Sequence, residues 1–167
     1  GKSLIGPIVS SLKKSEYWLH DQLFEEIIIL LSHRKISLDA ARSILGIHAD
    51  MDLYNLLIGR DVNFRDRDTS GVSYGNVKKR FQNRLKLKDG DNIVDKINSV
   101  NPFLLINTHH ILMNIKYIEK VFHNRNIKLV SIQRNPITLI KNFYENNWEK
   151  KYLNNQREFT LTIKKNN

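Results

Sequence analysis

The stretch "PFLLINTHHILMNIKYIEKVFHNRNIKLVSIQRNPITLIKNFYENNW", Pro102 to Trp148, decides the fold. It opens with a short apolar run, Pro102 to Asn107, bounded by proline and polar residues, which reads as a strand. Thr108-His109-His110 leads from it into a helix expected over Ile111 to Phe122. The same order then repeats: "HNRN" is a turn, "IKLVSI" a β-branched strand, "QRNP" a loop and "ITLIKNFYENNW" an amphipathic helix. Strands separated by helices imply a parallel sheet with right-handed crossovers, because parallel neighbours need a connection long enough to hold a helix. The expected fold is therefore α/β, a parallel sheet flanked by helices.

Upstream, Leu4, Ile5, Ile8, Val9 and Leu12 recur at helical spacing and predict a helix directly after Gly1-Lys2-Ser3, with Pro7 tolerated in its first turns. Glu16 to Leu19 reads as a connector, and Asp21 to Ser32 as a helix whose Ile27 to Leu31 block is buried on several sides. Ser37 is placed to cap a helix through Leu45 that Gly46 ends, and Asp50 or Asp52 to cap another through Ile58 that Gly59 ends. Arg60 to Gly75 is polar and without lasting periodicity, so it reads as a surface loop, and Asn76 to Leu87 as a basic amphipathic helix. A helix to about Val100 follows the Asp89-Gly90-Asp91 turn. "REFTLTI", with Phe159, Leu161 and Ile163 alternating, reads as a last strand or a tail.

A chain of 167 residues suits one domain. Its formal net charge of +10 favours polyanions and phosphorylated ligands. A Lys-, Asn- and Ile-rich composition gives the same charge with no such partner, so charge alone chooses nothing. The absence of cysteine excludes disulfides, thiolate nucleophiles and Cys-type zinc sites. The longest apolar run, Ile27 to Leu31, is far short of a membrane span, and the expected location is cytoplasmic.

In a parallel α/β sheet the strand-to-helix turns share one edge, and ligands collect there. Three polar corners fall on it: Gly1-Lys2-Ser3, Thr108-His109-His110 and Arg134-Asn135-Pro136. A helix N-terminus with Gly, Lys and Ser suits a phosphate. Arg134 can grip a second phosphate bidentately, with Asn142, two turns into the next helix, adding an amide donor. His109 can serve as a general base near neutral pH.

"LVSIQRNPITLIKNFYENNW", Leu129 to Trp148, resembles the 3′-phosphate segment of the sulfotransferases that use 3′-phosphoadenosine-5′-phosphosulfate, a family with a P-loop-like α/β fold. In that family this Arg and a Ser eight residues later bind the 3′-phosphate; Arg134 matches, and Asn142 stands where Ser is usual. "INTHHIL" resembles the family's Lys-Thr-His segment, which puts Asn107 in the Lys position and His109 in that of the catalytic base. Some members acting on carbohydrates use a carboxylate instead, which makes Glu25 or Glu26 alternatives, and the adjacent His110 is a third. The opening resembles the family's 5′-phosphosulfate loop, commonly Pro-Arg/Lys-Ser-Gly-Thr-Thr, with Gly1 as its Gly and Lys2 and Ser3 in place of the two Thr residues. The resemblance implies a P-loop NTPase-like three-layer architecture and one sulfotransferase-like domain over 1–167, incomplete at both ends.

The activity so implied is sulfuryl transfer from 3′-phosphoadenosine-5′-phosphosulfate, as co-substrate, to a hydroxyl or amine of a carbohydrate, lipid, small molecule or peptide. It needs no metal and expects no nucleic acid partner. One rival is a P-loop NTPase or kinase with ATP and Mg²⁺ on Ser3, although neither "FLLIN" nor "KLVSI" is followed at once by the acidic residue that Mg²⁺ requires. The other is a non-enzymatic polyanion-binding domain using the basic helix Asn76 to Leu87.

Overall fold

Parallel pairing joins the segment before the second helix to the "PFLLIN" run. The computed structural model describes residues 2–68, 70–73, 77–87, 90, 92–109, 111–148 and 150, the side chains of Lys2 and Ser3 excepted. Strand β1 (Leu19–His20) pairs with β2 (Ile106–Asn107) in the register Leu19 to Ile106 and His20 to Asn107. An isolated parallel bridge between Ser15 and Phe103, with bonds from Glu16 N to Phe103 O and from Leu19 N to Leu105 O, extends the contact. The region read as a connector is thus an edge of the sheet. "YWLH" is too short for periodicity to reveal it.

Helix α1 spans Lys2–Ser10, so Lys2 and Ser3 lie within its first turn, and Pro7 sits inside it. Helix α2 (Gln22–Ser32) is capped by Asp21, whose side chain accepts from Leu23 N. Its Phe24, Ile27, Ile28 and Leu31 are buried at i, i+3, i+4 and i+7, one face of a helix. They form a core with Ala41, Leu45 and Ala49 of α3 and with Ile111 and Val121.

Helix α3 is continuous from Leu38 to Leu57, capped by the Ser37 side chain on Ala40 N, where two helices broken at Gly46 were expected. A mid-helix glycine costs about 1 kcal/mol relative to alanine. Burial of Ala41, Leu45, Ala49, Leu56 and Leu57 along one rod outweighs that cost. The helix stops at Gly59, whose φ of +77° suits glycine.

A second core gathers Tyr17, Trp18, Leu56, Val72, Val77 and Phe81. Within it Arg84, from the short helix α4 (Lys78–Arg84), forks onto Glu16 at 2.6 and 2.9 Å. Helix α5 (Asn92–Val100) precedes β2, and a 3₁₀ turn (Ile111–Asn114) runs into α6 (Ile115–Val121). Both the basic helix and the one after β2 are shorter or more irregular than their patterns suggest.

The described residues after 128 belong to a second compact unit. In it α7 (Pro136–Glu145) begins as expected, with Pro136 in its first turn and the Asn135 side chain accepting from Ile137 N. The expected strand Ile127 to Ile132 is not one: 127–135 carry no regular structure, and Leu129, Val130 and Ile132 are exposed. A strand exists only through its partners, and no ladder reaches this segment among the described residues. "REFTLTI" lies outside the described residues. The class is thus mixed α/β and largely helical, with one two-stranded parallel sheet among the described residues. No described helix is long and apolar enough to cross a membrane.

Candidate functional site

Because β1 and β2 are parallel, His20 and Asn107 end on the same edge, and the chain turns there into Asp21 and into Thr108-His109. Asp21 starts α2 at that edge, which places Glu25 in the first turn, where the helix dipole favours a carboxylate. Glu25 is buried although charged. Its Oε1 accepts the backbone N–H of His109 and lies 3.4 Å from His109 Nδ1. The ring of His20 meets that of His109 edge-on, centroids 4.5 Å apart, and His20 Nδ1 is 3.4 Å from the Asn107 carbonyl oxygen.

Three side chains from three segments therefore form one group: His20, Glu25 and His109. The sequence offers His109 and Glu25 as alternatives; the structure brings them together. Glu26 instead accepts from Gln22 Nε2 at 2.8 Å and stands outside the group. His20 was missed because its strand was missed. An ionised carboxylate only accepts, so the contact between His109 Nδ1 and Glu25 suits the tautomer with its proton on Nδ1. That is the arrangement of a general base oriented from behind.

Beside His20, a cavity of about 200 Å³ is lined by Tyr17, Trp18, Asp61, Asn63 and Ser70. The loop that forms its far wall is held by Asp68, which accepts from Ser70 N at 2.9 Å and from Asn63 Nδ2 at 2.8 Å. The Ser70 backbone N–H, followed by Asn63 and the Ser70 hydroxyl, holds the Asp68 carboxyl below its ordinary range.

Next along the edge, Asp21 Oδ2 lies 2.6 Å from His48 Nε2, and Asp52 Oδ2 is 3.7 Å from the same nitrogen. Burial pushes the Asp52 carboxyl up to about 6; His48 opposes the rise, while Asp21 and Asp61 add to it.

In the second unit, Arg134 and Asn142 share a pocket of about 140 Å³ with Leu139, Phe143, Asn146 and Trp148. The two residues expected to hold a 3′-phosphate are thus neighbours in space, because Asn142 stands two turns along α7 from Arg134. Gly1 and His110 lie outside the described residues, and so do the side chains of Lys2 and Ser3. Comparison with family models, curated proteins and solved structures gives no match.

Proposed function

We propose that the chain is a sulfotransferase with a P-loop-like α/β fold, transferring a sulfuryl group from 3′-phosphoadenosine-5′-phosphosulfate to an acceptor hydroxyl. The observation that carries this reading is the buried Glu25 carboxylate set behind His109 at the carboxyl edge of a parallel strand pair. His109 takes the hydroxyl proton as the acceptor oxygen attacks sulfur. The bond from sulfur to the 5′-phosphate oxygen breaks, and adenosine 3′,5′-bisphosphate leaves. Glu25 holds the imidazole and faces the positive charge that forms on it. In the first unit Lys2 and Ser3 would stabilise the departing 5′-phosphate; in the second, Arg134 and Asn142 are donors of the kind that hold a 3′-phosphate. As in phosphoryl transfer, most of the rate would come from positioning and preorganised charge. The pocket shared by Arg134 and Asn142 supports the reading independently of the histidine.

Calorimetric titration with adenosine 3′,5′-bisphosphate, ATP with Mg²⁺, and a sulfated polysaccharide separates this reading from the NTPase and polyanion-binding alternatives. Micromolar binding of the bisphosphate, lost in Arg134→Ala, is the expected result; tight binding of ATP-Mg²⁺ alone overturns it. In an assay of sulfuryl transfer, His109→Ala lowers turnover by about a hundredfold or more with bisphosphate affinity unchanged. Glu25→Gln lowers it at least about tenfold, since it orients the base. Glu26→Gln leaves it unchanged.

A further inference from the structure

The group Asp21, His48 and Asp52 stands beside the proposed base but takes no part in sulfuryl transfer. One ligand-type atom from each residue, Asp21 Oδ2, His48 Nε2 and Asp52 Oδ2, lies within 4.8 Å of the others. His48 and Asp52 are i and i+4 on α3, so they share a face, and Asp21 faces them from the start of α2, which packs on α3. Only a helix that already includes His48 creates this face, since one starting at Asp50 or Asp52 would leave His48 in the connection before it.

Two features make the cluster more than a pair of acids near a histidine. Asp52 Oδ2 is buried and makes no hydrogen bond of normal geometry, its contact with His48 Nε2 lying at 3.7 Å, which is costly for a carboxylate oxygen unless something else satisfies it. The other two ligands are already oriented from behind. Asp21 spends Oδ1 on the Leu23 N–H, at 2.9 Å, which turns Oδ2 toward His48. The His48 ring rests against Phe24, centroids 5.8 Å apart. Such supporting contacts typically fix the ligands of metal sites.

We propose that Asp21, His48 and Asp52 bind a divalent cation of the zinc class. One imidazole and two carboxylates are an N/O donor set suited to Zn²⁺ or Co²⁺, whereas Ca²⁺ and Mg²⁺ prefer oxygen alone. With metal–ligand bonds of about 2.0–2.1 Å, tetrahedral neighbours lie about 3.3 Å apart. To reach that value the 2.6 Å contact between His48 Nε2 and Asp21 Oδ2 must open and the 3.7 Å separation from Asp52 Oδ2 must close, with all three atoms already within 4.8 Å of one another. The three residues leave a fourth position for water. The cation would tie the start of α2, and with it Glu25, to α3.

The test is calorimetric titration of the EDTA-treated, dialysed chain with ZnCl₂, with CoCl₂ in parallel to read the coordination sphere from its visible spectrum. One equivalent of Zn²⁺ binding at micromolar or tighter affinity, weakened at least tenfold in both Asp52→Asn and His48→Gln, is expected. Each variant is checked by circular dichroism, and the near-isosteric Asp52→Asn keeps the test decisive if His48→Gln fails to fold. Binding of less than a fifth of an equivalent, or an affinity that neither substitution changes, overturns the proposal. Bisphosphate binding does not pass through this site, so either proposal can fail while the other stands.

Discussion

Replacing Arg84 by methionine probes the join between the second core and the first strand. The guanidinium is 8% exposed and the Glu16 carboxylate 4%. They meet through two bonds of 2.6 and 2.9 Å, and Arg84 Nη1 also donates to the Leu56 carbonyl at 2.7 Å, from above the Phe81 ring. Methionine fills much of the volume but leaves Glu16 buried without its counter-charge and the Leu56 carbonyl without its donor. Breaking a buried pair from one side costs about 3–5 kcal/mol. The orphaned carbonyl falls within that sum, since its own desolvation is worth about 1–3 kcal/mol. Against a domain stability of about 5–15 kcal/mol this is severe. At about 3–5 °C per kcal/mol for a unit of this size, the melting temperature should fall by about 10–25 °C.

Thermal and urea unfolding followed by circular dichroism measures the loss, and pH sharpens it. A carboxyl left alone can take up a proton, so Arg84→Met should recover relative to the parent chain as pH falls toward 5. Glu16→Gln leaves a guanidinium that cannot lose its charge and should show no such recovery. The double variant Glu16→Leu/Arg84→Met should regain most of the loss, because well-packed apolar residues substitute for a buried pair far better than half of it does. Single costs below about 1 kcal/mol, the value of an exposed pair, would refute the reasoning, as would a double variant whose loss equals the sum of the singles.

Two further outcomes follow from geometry. A Cβ added at Gly6 would come within 2.5–2.7 Å of the Trp18 indole, so Gly6→Ala must displace a ring that is 7% exposed. The expected cost is about 1–3 kcal/mol with a red-shifted Trp18 emission, read in a Trp148→Phe background; an unchanged spectrum contradicts the packing. Asp68 has its carboxyl lowered in the folded chain, so its contribution is present above its unfolded value and is lost as pH falls through the lower folded value. Carboxyl ¹³C titration should place its midpoint below the ordinary aspartate value, and Asn63→Ala should move it upward; a midpoint at or above the ordinary value removes the assigned hydrogen bonds.

Several of these features were legible in the chain. The Ser37 cap and the Asn135-Pro136 start of α7 were written locally, since a cap needs only the right side chain beside free amides. The apolar face of α2 was legible for the same reason, because period and composition are properties of a short segment. "INTHH" marked the end of β2 and the histidine that stands there.

The sequence by itself determined where α2 and α7 lie, the Ser37 cap and the Ile106-Asn107 end of the "PFLLIN" run, since each depends on neighbours within about two turns. Tertiary structure decided what those corners touch. β1 is defined by pairing with a segment 87 residues away in register, and without it His20 has no place beside His109. Glu25 became a partner of His109, and Glu26 did not, because the core face of α2 turns one carboxylate inward. Whether α3 breaks at Gly46 was a contest between about 1 kcal/mol of local propensity and apolar burial along the whole helix, and burial prevailed. That same continuity set His48 one turn before Asp52 on a shared face, which two helices broken at Gly46 would not provide.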